Sequence, residues 1–161
     1  MSGEYMRELA PEDFTARSLE FIEAKRSLTD EQRQRYGAMA PLIQERVKVL
    51  PEAIEMSEWL FLEEVVFDER SWDKVMKPEA AEVLDDAFAR LERLSDWSTR
   101  SIEAVMRQML DDRELNARKG FQPLRVALTG SMISPPLFES MEVLGQSVTL
   151  ERLRRARARF V

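Results

Sequence analysis

Prolines and capping residues open one apolar segment after another, and this punctuation is the feature that most constrains the fold. Pro11, Pro51 and Pro78 each stand before apolar residues at helical spacing, and each is followed by a glutamate. A proline is tolerated in the first turn of a helix, where the helix dipole also favours an acidic side chain. Alternating apolar and polar residues do not persist, and no Asn-Gly or Asp-Gly hairpin pair occurs. The sequence therefore predicts an all-α fold.

Other helix boundaries are marked by single residues. Thr29 or Asp30 is expected to cap one helix and Ser98 another, because their side-chain oxygens can accept hydrogen bonds from the first turn. Gly130 and Gly145 are expected to end two helices, since glycine readily adopts the left-handed backbone found at helix ends.

Two segments depart from the regular helical pattern. Pro41 is expected to break one helix and to let a new one form over residues 42–49, because proline cannot donate a backbone hydrogen bond. Residues 61–76 lack clean periodicity and are interpreted as an irregular connection that carries a buried Trp72. The chain is therefore predicted to form two helical subdomains, residues 1–77 and residues 78–161.

The composition excludes most kinds of catalytic site. The chain has no histidine and no cysteine, which removes histidine acid–base catalysis, activated cysteine nucleophiles, the usual zinc sites and disulfides. Its five glycines form no phosphate-binding loop. No apolar run reaches the roughly 18 residues of a membrane span, and the N-terminus has no signal-peptide pattern. We expect a folded cytoplasmic protein with no catalytic residue, metal or cofactor of its own.

Charge is distributed unevenly along the chain. Residues 117–161 hold eight basic and three acidic residues, a net of +5, whereas the first 116 residues carry a net of −11. Two interpretations stay open for the basic part. It can attract a polyanion, or its arginines can simply complement the negative ends of helix dipoles.

Several fixed spacings together resemble one known family. The stretch "QPLRVALTGSMISPPLFESMEVLG" (residues 122–145), followed by "LERLRRA" (150–156), is similar to the C-terminal end of bacterial glutamyl-tRNA synthetase. The stretch "ERVKVLPEAIEMSEWLF" (45–61) resembles an upstream element of that family. The family's catalytic half, with its two signature motifs, has no counterpart in this chain. We therefore expect an excised or free-standing anticodon-binding region that is inactive alone.

The resemblance implies partners for this region. They are the anticodon stem-loop of the tRNA for glutamate and the enzyme's N-terminal catalytic half, in which ATP and Mg²⁺ are used. The region itself is expected to be a monomer without a cofactor. No membrane partner is expected.

The resemblance also implies which residues contact the anticodon. Arg125 matches the arginine of the P-L-R motif, and Arg46 matches the arginine of the E-R element. Ser134 and Leu137 match positions of a Ser/Thr-Pro turn that touches the first anticodon bases, and Ser134 is also expected to cap the helix that follows. Pro136 stands where the family can have glycine, a departure that affects how closely the backbone approaches the RNA.

Each of these residues also has a purely structural interpretation. Arg125 can cover apolar surface with its stem, Arg46 can pair with a nearby carboxylate, and Leu137 can belong to the core. Some arginines of the last helix are expected to contact RNA phosphates, namely Arg152, Arg155 and Arg159. The tryptophans are interpreted as core residues, with base stacking as the alternative: Trp59, Trp72 and Trp97. The rival function is an acidic helical scaffold that docks another protein without binding RNA.

Overall fold

Helices account for all the regular secondary structure within residues 3–160, the part of the chain that the computed structural model describes. This confirms the all-α prediction. The ten helices of this part are α1 (Gly3–Glu8), α2 (Pro11–Glu23), α3 (Asp30–Gln44), α4 (Leu50–Phe61), α5 (Glu69–Val75), α6 (Pro78–Glu92), α7 (Thr99–Arg113), α8 (Ala117–Thr129), α9 (Leu137–Leu144) and α10 (Gln146–Ala158). Of these helices, none combines the length and the apolar character needed to cross a bilayer.

The boundaries predicted from local signals are confirmed at several helices. Thr29 caps α3 through a reciprocal pair of hydrogen bonds with Gln32, and the Ser98 hydroxyl accepts from the backbone of Ser101 at the start of α7. Gly130 and Gly145 follow α8 and α9 with φ of +87°. These signals succeed because a cap needs only residues within its own turn.

Two local predictions are wrong. Helix α3 continues through Pro41 to Gln44 instead of breaking, so only its last turn lies beyond the proline. The segment interpreted as an irregular connection contains α5, which Asp68 caps by accepting a hydrogen bond from the backbone of Ser71. Helix α5 packs against α8, and this tertiary contact stabilises a helix too short to show periodicity.

The chain divides into two compact units, Met1–Glu63 and Glu64–Val161. The division comes earlier than the boundary expected after residue 77, because α5 and the segment before it pack with the second unit. Asp68 donates its backbone N–H to the carbonyl of Gly130 at 2.9 Å, and Met132 donates to the Ser71 hydroxyl at 3.2 Å.

In the first unit, α2, α3 and α4 each pack against the other two. Phe14, Tyr36 and Ile43 are fully buried at its centre. The Tyr36 hydroxyl donates to the hydroxyl of Ser18 at 2.7 Å, and Ser18 donates in turn to the carbonyl of Phe14. This polar pair is satisfied inside the core, as a buried hydroxyl requires.

The second unit is organised around α10 and α8. Helix α10 packs against α6, α8 and α9, whereas α7 packs against α6 and α9. Leu124, Ile102 and Leu84 are among its fully buried side chains. Helix α8 therefore has one face in the core and can present other residues from a firm support.

Candidate functional site

Arg125 lies on α8 and is partly buried against the segment that links α8 to α9. Its Nη1 atom donates to the Ser134 hydroxyl at 3.1 Å and to the carbonyl of Pro135 at 2.9 Å. Two acceptors on one guanidinium nitrogen restrict the orientation of the side chain. The planar group is thereby fixed beside the link and retains partial exposure to solvent.

The linking segment, residues 130–136, is held in place by α5. The carbonyl of Gly130 accepts from Asp68, and the backbone of Met132 donates to Ser71. Ser71 also donates its hydroxyl to the Asp68 carboxylate at 2.8 Å, and this bond lowers the pKa of Asp68. A side chain added at Gly130 would come within 3 Å of the backbone of Val66. Helix α5 and its cap are thus the support beneath the Arg125 site.

Ser134 does not cap α9. That helix begins at Leu137, the residue at the cap position is Pro136, and no side chain caps it. The Ser134 hydroxyl instead accepts from Arg125, and the residue is only 9% exposed. Ser134 therefore fixes the arginine and does not complete the turn of a helix. The prediction of a helix cap is wrong, because α9 starts after both prolines.

Leu137 is the first residue of α9 and is 3% exposed, so its side chain belongs to the core. Ile133, just before Ser134, is 77% exposed. The tip of the linking segment thus presents an apolar side chain to solvent beside the arginine. Ile133 was not predicted from the sequence, although a Met-Ile pair between two serines in a loop is a recognisable signal.

Arg46 lies in the turn that follows α3 in the first unit and is exposed. Its Nη1 atom reaches the carbonyl of Leu42 at 3.5 Å, the limit of a hydrogen bond. Among the described residues, no carboxylate forms an ion pair with it. The alternative of a pair with Glu45 is therefore not observed, and Arg46 extends into solvent with little to fix its orientation.

The arginines of α10 and of its C-terminal cap, Arg159, are engaged with the protein itself. Arg152 is 4% exposed and donates to the carbonyl of Leu128 at 2.7 Å, so in this structure it stabilises the core and is not placed to contact a phosphate. Arg155 pairs with Glu151 and Glu64, and Arg159 pairs with Glu69 at 2.6 Å.

Neighbouring arginines share the acidic partners of α10. Hydrogen bonds from Arg154, together with those from Arg155, lower the pKa of Glu151 to about 2. Arg157 pairs with Asp85 of α6. The cationic helix is thus largely neutralised by carboxylates around it.

The three tryptophans occupy different environments. Trp59 is buried and donates to the carbonyl of Met56, and Trp97 donates to the carbonyl of Met141. Trp72 is partly exposed, with the guanidinium of Arg159 stacked 4.4 Å from its ring centroid. Trp59 is thus the core residue expected, whereas Trp72 uses its face for an arginine of the same chain.

Comparison with known proteins gives a consistent result. A profile of the family described as "Anticodon binding domain" matches residues 13–157. Over 160 residues the chain is 44% identical to the glutamate–tRNA ligase of Mycolicibacterium smegmatis, covering 99% of this chain and 33% of that protein. Its identity to the glutamate–tRNA ligase of Kineococcus radiotolerans is 42% over 164 residues, covering 98% of this chain and 33% of that protein. The chain spans about a third of the length of these relatives.

A solved structure agrees with the fold. A crystal structure of a glutamate tRNA ligase from Elizabethkingia meningosepticum matches 99% of this chain and 31% of its own chain, with a TM-score of 0.80 and 20% sequence identity. The likeness shows that the helical fold is shared.

Proposed function

The chain belongs to the anticodon binding domain family, and on that basis we propose that it recognises the anticodon loop of the tRNA for glutamate. Anticodon bases are unpaired, so their faces and edges are open to stacking and hydrogen bonding. The proposal assigns this chain the selection of tRNA and not the chemistry of aminoacylation. The ligation of glutamate, with ATP and Mg²⁺, belongs in this proposal to a catalytic half of the enzyme.

The observation that supports the proposal most directly is the fixed position of Arg125. A guanidinium oriented by Ser134 and Pro135 loses little conformational freedom when a base stacks on it or accepts from it. Ser134 acts in this proposal by orienting the arginine. Leu137 acts through its backbone and through the shape of the helix start, since its side chain is buried.

Arg46 has a different part in the proposal. It is exposed and weakly held, so it contacts its base only by becoming ordered when the RNA binds. Arg155 and Arg159 can add phosphate contacts by exchanging an exposed carboxylate for a phosphate, because exposed ion pairs contribute only about 0–1 kcal/mol. We further infer that the chain acts as a monomer in the cytoplasm, where translation takes place.

The test is a binding measurement with the full chain. Fluorescence anisotropy would compare a stem-loop carrying the glutamate anticodon with stem-loops in which each anticodon base is changed. We expect the cognate loop to bind about 1–3 kcal/mol more tightly for each base that is read. Equal affinity for every loop would contradict base recognition.

A salt titration separates RNA binding from the scaffold alternative. RNA binding releases counterions, so the logarithm of the affinity falls steeply with the logarithm of the salt concentration. An apolar protein contact shows little such dependence. Failure to bind any tRNA, or a tRNA affinity that does not change with salt, would favour the scaffold.

A further inference from the structure

A second cationic surface lies in the second unit, at a cleft formed by the end of α5, the start of α6 and the start of α8. The cleft has a volume of about 770 Å³ and is lined by five basic and two acidic side chains. Four of the basic residues are exposed: Lys74, Lys77, Arg118 and Lys119. A cleft of this sign on a chain with a net charge of −6 is a local reversal of charge. We call it the α6–α8 cleft.

Among the residues that the structure describes, these four cations are not neutralised by carboxylates. Within residues 3–160 no carboxylate lies within ion-pair distance of any of them, whereas the fifth cation, Arg113, pairs with Asp86 at 2.7 Å. Glu79 and Glu82 also line the cleft. Arg113 lies 4.0 Å from the carboxylate of Glu82, so part of this negative charge is already balanced.

The positions of the cations are unfavourable for the helices that carry them. Arg118 and Lys119 lie in the first turn of α8, and Lys77 occupies the cap position of α6. The dipole makes the start of a helix positive, so an exposed cation there is destabilising. The dipole explanation that suits Arg155 and Arg157 at the end of α10 therefore fails here. Real proteins break one or two such rules at functional sites.

The residue types favour a nucleic acid over a protein as the occupant. Three of the five lysines in the chain line the α6–α8 cleft. Lysine is depleted from protein–protein interfaces, whereas its compact ammonium group is a common partner of phosphates. Exposed, unpaired cations also release counterions from an RNA backbone without first breaking an ion pair.

We propose that the α6–α8 cleft binds the phosphodiester backbone of the tRNA, outside the anticodon bases that Arg125 and Arg46 contact. This inference rests on the proposed function, because it supposes that the chain binds tRNA. The cleft positions the RNA through charge and does not read its sequence, which is the usual division between phosphate and base contacts.

The test uses two double variants of the full chain with the same change in charge. One is Arg118→Gln with Lys119→Gln, in the cleft. The matched control is Arg93→Gln with Arg100→Gln, two exposed arginines of the second unit at the far ends of α6 and α7. We expect the cleft variant to bind transcribed tRNA about tenfold more weakly at low salt, and the magnitude of its salt slope to fall by roughly 1–2. The control should stay within about twofold of the unsubstituted chain.

Thermal unfolding of the same variants excludes a structural explanation. Removing two cations from the start of α8 should leave the melting temperature unchanged or raise it slightly, while the affinity for tRNA falls. A variant that had lost RNA binding through damage to the fold would melt earlier. Stability and affinity therefore move in different directions only if the cleft has a binding role.

Lysine acetylation followed by mass spectrometry provides a second measurement, on the unsubstituted chain. Bound tRNA should protect Lys74, Lys77 and Lys119 from acetylation, relative to Lys25 of the first unit. Equal acetylation with and without tRNA would overturn the cleft as an RNA surface and would leave its cations to a protein partner.

The outcomes also separate this inference from the function on which it rests. If the cleft variant and its control behaved alike while the unsubstituted chain still preferred the glutamate anticodon, the cleft alone would be refuted. If the cleft variant lost affinity equally for every anticodon, the backbone contact would be supported. A chain that bound no tRNA at all would overturn both proposals.

Discussion

The two units hold their candidate arginines in different ways. Arg125 of the second unit is partly buried and donates from one nitrogen to two acceptors, whereas Arg46 of the first unit is exposed and has one contact at 3.5 Å. The sequence motifs predict a base contact for each of these two arginines and do not distinguish between them. In the proposed function, Arg125 is already oriented before RNA binds, whereas Arg46 becomes ordered only on binding. The larger and more specific contribution to binding should therefore come from the second unit.

The strongest test of this difference removes the support beneath Arg125. An alanine at Gly130 must keep φ at +87°, which costs about 1–2 kcal/mol, and its Cβ would overlap the carbonyl oxygen of Val66. We expect Gly130→Ala to destabilise the second unit by more than about 3 kcal/mol in urea unfolding and to abolish preference for the cognate anticodon.

The first unit offers a matched glycine. Gly37 lies inside α3, and a Cβ there would meet no atom within 4 Å. Gly37→Ala should stabilise the first unit by about 0.5–1 kcal/mol, because alanine is the better helix former. If Gly37→Ala and Gly130→Ala lowered the free energy of unfolding by similar amounts, the loss of a glycine alone, and not the close approach at Gly130, would explain the destabilisation.

A smaller effect is expected when the arginines themselves are truncated. Arg125→Ala should weaken binding to the cognate stem-loop by about 2–3 kcal/mol, and Arg46→Ala by about 1 kcal/mol, since ordering a free side chain offsets part of its contact. Both losses should be smaller with altered anticodons. Anisotropy titrations of the two variants against the same stem-loops provide the measurement.

Unfolding experiments on these variants complete the comparison. Arg46→Ala should leave stability within about 0.5 kcal/mol of the unsubstituted chain, as for most exposed sites. Arg125→Ala should cost about 1 kcal/mol, because Ser134 and Pro135 lose their donor. Equal effects of both substitutions on binding and on stability would remove the distinction between an oriented and an unoriented arginine.

Most helix starts were predictable because their signals are local. Thr29, Ser98 and Pro78 lie within one turn of the helices they open, so sequence alone locates them. Helix α5 was not predictable in the same way. It has seven residues, and its position depends on Asp68 and Ser71 bonding to the linking segment some sixty residues later in the chain.

The roles of the cations were less predictable from the sequence, because an arginine or lysine can bind a ligand readily only if no carboxylate of the folded chain pairs with it. The arginine-rich helix α10 attracts attention in the sequence, yet Arg157 pairs with Asp85 and Arg159 with Glu69, both distant in the chain. Arg118 and Lys119 look less prominent, yet within residues 3–160 neither of them pairs with a carboxylate. Cations at the start of a helix were the signal that the sequence offered.

Tyr36, which belongs to the first unit, carries a pH-dependent contribution to stability. Burial raises its pKa from the usual 10.0 to about 12, although the hydrogen bond to Ser18 opposes the shift. A group with a raised folded-state pKa stabilises the fold fully below its unfolded value, and this stability is lost as the pH rises from about 10 to about 12. Tyr36→Phe should cost about 1 kcal/mol at pH 8, through the lost hydrogen bond.

The pH dependence distinguishes that explanation from simple loss of packing. Between pH 8 and pH 11 the difference in free energy of unfolding between the unsubstituted chain and Tyr36→Phe should narrow by roughly 1 kcal/mol. The reason is that over this range Tyr36 ionises in the unfolded chain and stays neutral in the folded one. Urea unfolding at both pH values measures it. Parallel profiles would mean that Tyr36 ionises as easily in the folded chain as in the unfolded one. The buried pair of Tyr36 and Ser18 would then not make the first unit sensitive to alkali. The second unit has no tyrosine among residues 64–160, so neither the higher pH nor the Tyr36→Phe substitution should alter the Arg125 site.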